Sequence, residues 1–184
     1  MAAIAADVVG YWTKAGPKKW FAKSAAFDDA LRLRFEAVHH AAARGEYAAW
    51  RQTAEGCLAL LLLLDQFPRN LYRGSAHAYA TDPLARSIAG VVVDAGFDQQ
   101  LEAQLRHFCY LPFEHSEAIE DQDCAVALFE AHDAATGDIG SLDWAVRHRD
   151  IIRRFGRFPH RNAALGRETT AEEQAFLDEG GFAG

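Results

Sequence analysis

The sequence lacks any apolar run long enough to cross a membrane. Its longest, Cys57 to Leu64, falls far short of the roughly 20 residues that a spanning helix needs. It opens on Met-Ala-Ala-Ile-Ala-Ala-Asp, with no basic stretch ahead of a long apolar one. No secretory signal is therefore expected, and the predicted location is cytoplasmic. Cysteine is scarce: Cys57, Cys109 and Cys124 are odd in number, widely spaced and without Cys-x-x-Cys pairing. That pattern argues against a disulfide frame or a zinc site and for buried free thiols in a reducing compartment. Linkers rich in Pro, Gly or Ser are missing, so residues 1–184 are expected to form a single domain. Gly-x-Ser-x-Gly elbows, phosphate-binding glycine loops, dinucleotide fingerprints and His-Glu-x-x-His are missing as well. No cofactor and no metal is predicted, and no reaction class is read.

Half of the residues are hydrophobic and a quarter charged, which excludes a disordered chain. The net charge of −7 argues against a nucleic-acid partner, and the composition against a membrane one. The charge is uneven, however. From Arg147 to Arg167 there are seven arginines and one acid, a local +6 against −13 over the rest. Arginine outnumbers lysine fifteen to four, and its planar fork suits bidentate pairing with carboxylate or phosphate. Internal ion pairing and an anionic ligand both fit that excess.

Periodicity predicts an all-α fold. Phe27, Leu31, Phe35, Val38 and Ala42 form one stripe of a helix ending at Gly45. Thr53 is expected to cap a leucine-rich helix running to about Gln66 and stopped by Pro68. Asp82-Pro83 reads as a cap followed by proline, opening a helix that includes Val91-Val92-Val93 and closes at Gly96. Asp98 is expected to begin another, to about Phe108. Pro112 is expected to open a long helix to about Ala135, and Ser141 one to Phe155. Thr170 with Glu173 forms a capping box for a last helix. Leu58 and Leu60 to Leu64 cover the whole circumference of their helix, so it should be central. Asp65 at its end then needs a strong donor, from Arg69, Arg73 or the 147–167 segment.

Two segments repeat one chemistry. Asp65-Gln66-Phe67-Pro68-Arg69-Asn70-Leu71-Tyr72-Arg73-Gly74 and Arg157-Phe158-Pro159-His160-Arg161-Asn162-Ala163-Ala164-Leu165-Gly166-Arg167 each put Phe-Pro after an apolar helix, then Arg-Asn. Their spacing of about 90 residues exceeds the typical 20 to 50 of a solenoid repeat. Two such exits are expected to share one polar interior. With these strings, Lys19-Trp20-Phe21, Tyr110-Leu111-Pro112-Phe113-Glu114-His115-Ser116-Glu117 and His148-Arg149-Asp150 are similar to the bacterial DUF924 family of unknown function. The resemblance covers nearly the whole chain. It implies a helical array like that of tetratricopeptide proteins and brings no established activity.

Helical geometry places His115 and Gln122 on the face of Ile119, Val126 and Phe129, with Glu114, Glu117 and Asp121 to its side. His148 falls in the stripe of Trp144, Ile151 and Phe155. The four tryptophans are expected to be core or helix-contact residues. The candidate ligand-binding residues are thus Asp65, Arg69, Asn70, Arg73, His115, Glu117, His148, Arg157, His160, Arg161 and Asn162. Three readings follow: a cleft for a small anionic ligand with acid–base capacity, a groove for acidic peptides, and a purely structural clasp.

Overall fold

The computed structural model describes residues 5–137 and 140–182, and among these every regular element is helical. No helix of the described residues is long and apolar enough to cross a membrane. The chain divides into two compact units, Met1–Arg73 with His77–Pro112, and Gly74–Ala76 with Phe113–Gly184.

The first unit holds α1 (Ala5–Ala15), α2 (Pro17–Trp20), α3 (Ala25–Ala43), α4 (Ala54–Leu61), α5 (Phe67–Leu71), α6 (Asp82–Asp94) and most of α7 (Ala103–Glu114). Helix α3 starts where Ser24 accepts the Phe27 amide, and α4 where Thr53 accepts that of Gly56. Leu58 to Leu64 are all buried, as expected for a helix apolar all round. Around them pack Trp12, Trp20, Phe35, Phe67 and Phe108, whose rings meet edge-on or tilted, save Trp12 and Trp20, which stack. Cys57 and Cys109 are buried free thiols, and burial raises both pKa values.

Pro68 does not stop the leucine helix. The chain widens into a π-turn over Leu62–Gln66, in which the Phe67 amide donates to the Leu62 carbonyl, and resumes as α5. Proline removes the amide that would serve the Leu63 carbonyl in π register or that of Leu64 in α register. Side chains serve both carbonyls. His39 Nδ1–H donates to Leu63 O over 2.7 Å, and the Thr81 hydroxyl to Leu64 O over 2.5 Å. Burial lowers the His39 pKa, which suits a neutral ring donating through Nδ1. Thr81→Val, with the shape kept and the hydroxyl gone, should cost about 1–2 kcal/mol in urea unfolding, and Thr81→Ser much less. An unchanged midpoint in Thr81→Val would mean that the carbonyl is served otherwise.

The second unit holds α8 (Ile119–Thr136), α9 (Ser141–Phe155) and α10 (Ala171–Asp178). Its core is Ile151, Ile152 and Phe158, with Ile119, Phe155, Phe176 and Phe182 packed against it. Pro112 does not open α8; it sits inside the last turn of α7. The break comes at His115–Ala118, where polar side chains take over backbone partners. Gln122 donates to the carbonyls of Glu114 and Ser116, and Ser116 Oγ accepts the Ala118 amide. Helix α9 ends on Gly156, whose φ of 69° is the left-handed conformation that a glycine adopts without strain. Cys124 is free and only half-buried, short of the full burial expected of it.

Candidate functional site

The first motif is built on the π-turn and α5. Asp65 is 1% exposed and accepts from Gln66 Nε2 at 2.6 Å, with Arg69 at 3.5 Å. Arg69, one of the donors expected for it, makes its closest pair with Asp82 in bidentate form, at 2.7 and 2.9 Å. It also donates to the Ala78 carbonyl and lies 4.9 Å from the Tyr79 ring centre. Burial pulls the Arg69 pKa down, but Asp65 and Asp82 outweigh it and hold it above the ordinary value. Asp82 was expected to cap α6; Thr81 occupies that position and Asp82 is buried against Arg69. Arg73 turns to Asp28, at 2.6 and 3.1 Å, and Asn70 Nδ2 donates to the same carboxylate at 2.7 Å. Burial alone would raise the Asp28 pKa, but the Arg73 and Asn70 hydrogen bonds lower it.

The second motif follows α9 through a 3-10 turn, Pro159–Arg161. Arg157 forks onto Glu173 at 2.6 and 2.8 Å, and Asn162 Nδ2 donates to the same carboxylate at 3.2 Å. Glu173 also accepts the Thr170 amide within the capping box. The Arg157 hydrogen bond, against opposition from burial, takes the Glu173 pKa down to about 2. Glu117 accepts the Phe158 amide at 2.8 Å and pairs with Arg167 at 2.8 and 3.1 Å. Its burial is outweighed by Arg167 and that amide, so its pKa is lowered. Arg161 is buried, donates to the His115 carbonyl at 2.9 Å and lies 4.3 Å from the Phe158 ring centre. The two motifs thus repeat a device: an Asn and an Arg share one carboxylate supplied from outside the motif.

His148 is buried, as the stripe predicted. Its Nδ1–H donates to the Trp144 carbonyl at 2.8 Å, with a Glu114 oxygen at 3.2 Å. Burial, aided by the charges of His115 and Arg161, lowers the pKa to about 4, although the hydrogen bond to the Trp144 carbonyl favours the cation. The ring is therefore neutral at pH 7. Glu114, placed beside the inward face by helical spacing, is itself buried, while His115 is half-buried in the turn after α7. The His160 ring packs on Phe158 and Phe182. Among the described residues no group of three or more His, Cys, Asp or Glu is placed to hold a metal ion.

A groove of about 430 Å³ opens on the second unit over Ile151. Trp144, Phe155, Phe176 and Phe182 line it together with Arg147, Arg154, Gly180 and one acid, Asp150. Trp144 does not join the inward stripe: it is 49% exposed, with the Arg147 guanidinium 5.1 Å from its ring centre. Arg154 lies 4.6 Å from the Phe155 ring centre and pairs with Glu172 at 2.9 Å. Arg147 has no carboxylate partner among the described residues.

A family model described as a bacterial protein of unknown function, DUF924, matches residues 8–181. The chain belongs to the DUF924 family. A solved structure of a protein of unknown function from Agrobacterium tumefaciens is similar to it, with 54% identity and a TM-score of 0.89. The match covers 95% of this chain and 97% of that one. No curated protein matches the chain.

Within this DUF924 chain, all eleven candidate residues make polar or aromatic contacts, but Asp28, Asp82, Glu114, Glu173 and Arg167 complete them and were not among the candidates. The sequence marks Glu173 as half of a capping box, Asp82 as a helix cap, Glu114 as a neighbour of the inward face and Arg167 as the end of the second motif, but none of them as a partner. Asp28 lies 45 residues from Arg73, a separation that no helical periodicity reaches.

Proposed function

We propose that the chain is a binding module whose groove on the second unit takes an acidic peptide segment bearing an apolar side chain. The observation that carries this reading is Arg147, exposed over the half-exposed Trp144 and without a carboxylate partner among the described residues. Arg69, Arg73, Arg157 and Arg167 of the two motifs are each already held by a carboxylate of the chain. An external anion there would have to displace a made pair, which costs more than meeting an arginine in water. At the groove, the aromatic walls supply apolar contact while the guanidinium attracts a carboxylate. The volume suits one or two anchoring side chains of a short segment. The tetratricopeptide-like arrangement implied by the family resemblance is one in which helix pairs commonly bind peptides, an analogy of fold only.

Fluorescence polarisation with labelled peptides tests it. Acidic peptides carrying Phe or Leu should bind, basic and purely polar ones should not, and affinity should fall with salt. Arg147→Glu should weaken binding about tenfold or more, whereas Arg73→Gln should not change it. No binding by any acidic peptide, or equal binding by Arg147→Glu, overturns the proposal. Small carboxylates that bind as tightly as the peptides do would reassign the groove to a metabolite.

A further inference from the structure

All four lysines of the chain, Lys14, Lys18, Lys19 and Lys23, fall within ten residues, and no acid occurs from Val8 to Phe27. All fifteen arginines lie elsewhere. The lysines are exposed, and none has a carboxylate partner among the described residues. In their midst Phe21 is 66% exposed.

The corner that carries them is firmly made. Trp20 is buried and its indole N–H donates to the Trp12 carbonyl at 2.7 Å. The amides of Lys19 and Trp20 both return to the Gly16 carbonyl, and Gly16 takes a φ of 75°. The Phe21 ring stacks on the buried Phe108 with its centre 6.3 Å away, so its position is set from beneath. A ring this exposed yet anchored, flanked in sequence by Lys18, Lys19 and Lys23, is an interaction surface rather than loose chain.

We infer that this corner docks on an anionic lipid bilayer. Lys14 lines a shallow pocket with Asp7 and Arg34, but Lys18, Lys19 and Lys23 stand apart from arginine in the sequence, and that segregation favours a bilayer over a protein or a nucleic acid. Arginine's fork reads carboxylate and phosphate with directed bidentate bonds, and this chain uses arginine wherever it makes such pairs. Lysine's ammonium is a compact, hydrated charge that responds to a diffuse negative surface without directed bonds. Phe21 adds an apolar group of the kind that enters the headgroup boundary. The surplus of acids elsewhere in the chain is screened over about 8 Å at physiological salt, so the local charge governs contact. Such attachment lies on the membrane and needs no spanning helix. It departs from the expectation, drawn from composition, that the chain has no membrane partner.

Sedimentation of the full chain with vesicles tests the inference. Binding should occur to phosphatidylcholine mixed with phosphatidylserine, be absent with phosphatidylcholine alone, and weaken with salt. Lys18→Gln with Lys19→Gln should lower the partition coefficient roughly twentyfold, near fivefold per lysine. Phe21→Ser, in a side chain already mostly exposed, should lower it severalfold while leaving the far-UV circular dichroism unchanged. Absence of binding to the anionic vesicles, or equal binding by the double-lysine variant, overturns it. So does preferential capture by RNA or polyglutamate in place of the vesicles, which would assign the corner to a different polyanion.

Discussion

Arg69→Met should destabilise the protein by about 3–5 kcal/mol, a large part of the 5–15 kcal/mol that separates a folded domain from its unfolded chain. Methionine keeps much of the apolar stem but leaves Asp65, 1% exposed, and the buried Asp82 without their common cation. The penalty arises from stranded negative charge, not from the value of one ion pair in water. The double variant Arg69→Met with Asp82→Asn should therefore lose less than the two single losses added together. Urea unfolding at neutral pH measures all three proteins. A loss below 1 kcal/mol in the single variant would show that the two aspartates are not confined by Arg69.

Stability should climb as pH rises from 2 to about 6.5, in two windows owned by different residues of the second unit. His148 has a folded pKa near 4 against an ordinary 6.5. As pH falls the unfolded chain takes its proton first, so stability is lost between 6.5 and 4. A difference of that size corresponds to about 3 kcal/mol at its limit. Glu173 has a folded pKa near 2 against 4.5, so its contribution is present above 4.5 and is lost as pH falls toward 2. His148→Asn, which keeps a donor for the Trp144 carbonyl, should flatten the upper window only. Glu173→Gln should flatten the lower one only. Denaturant midpoints taken across this pH range separate the two, and an unchanged slope above pH 4.5 in His148→Asn would refute the first assignment.

The two motifs show how much of such a site the sequence carries. Phe-Pro and Arg-Asn were visible as a repeated string, and the burial of Phe67, Phe158, Asn70 and Asn162 agrees with a common role. In the first motif the proline does not end the helix, contrary to its sequence signal. Its missing amide ends a helix unless something else serves the freed carbonyls, and His39 and Thr81, 24 and 17 residues away from them, do so. Pro112 lies inside α7 for a related reason: helix ends depend on which side chains compete for backbone groups, and Gln122 and Ser116 decide that end.

What the sequence determined by itself was local: the all-helical class, the caps at Thr53 and Thr170, the glycine ends at Gly45, Gly96 and Gly156, and the central place of the leucine helix. These follow from periodicity and from hydrogen bonds spanning three or four residues, which a linear reading contains. Only the tertiary structure decided which carboxylate holds which arginine, and that Trp144 and Arg147 face outward while Glu114 is buried. Those outcomes depend on packing between residues 13 to 50 apart in the chain, beyond the reach of helical periodicity.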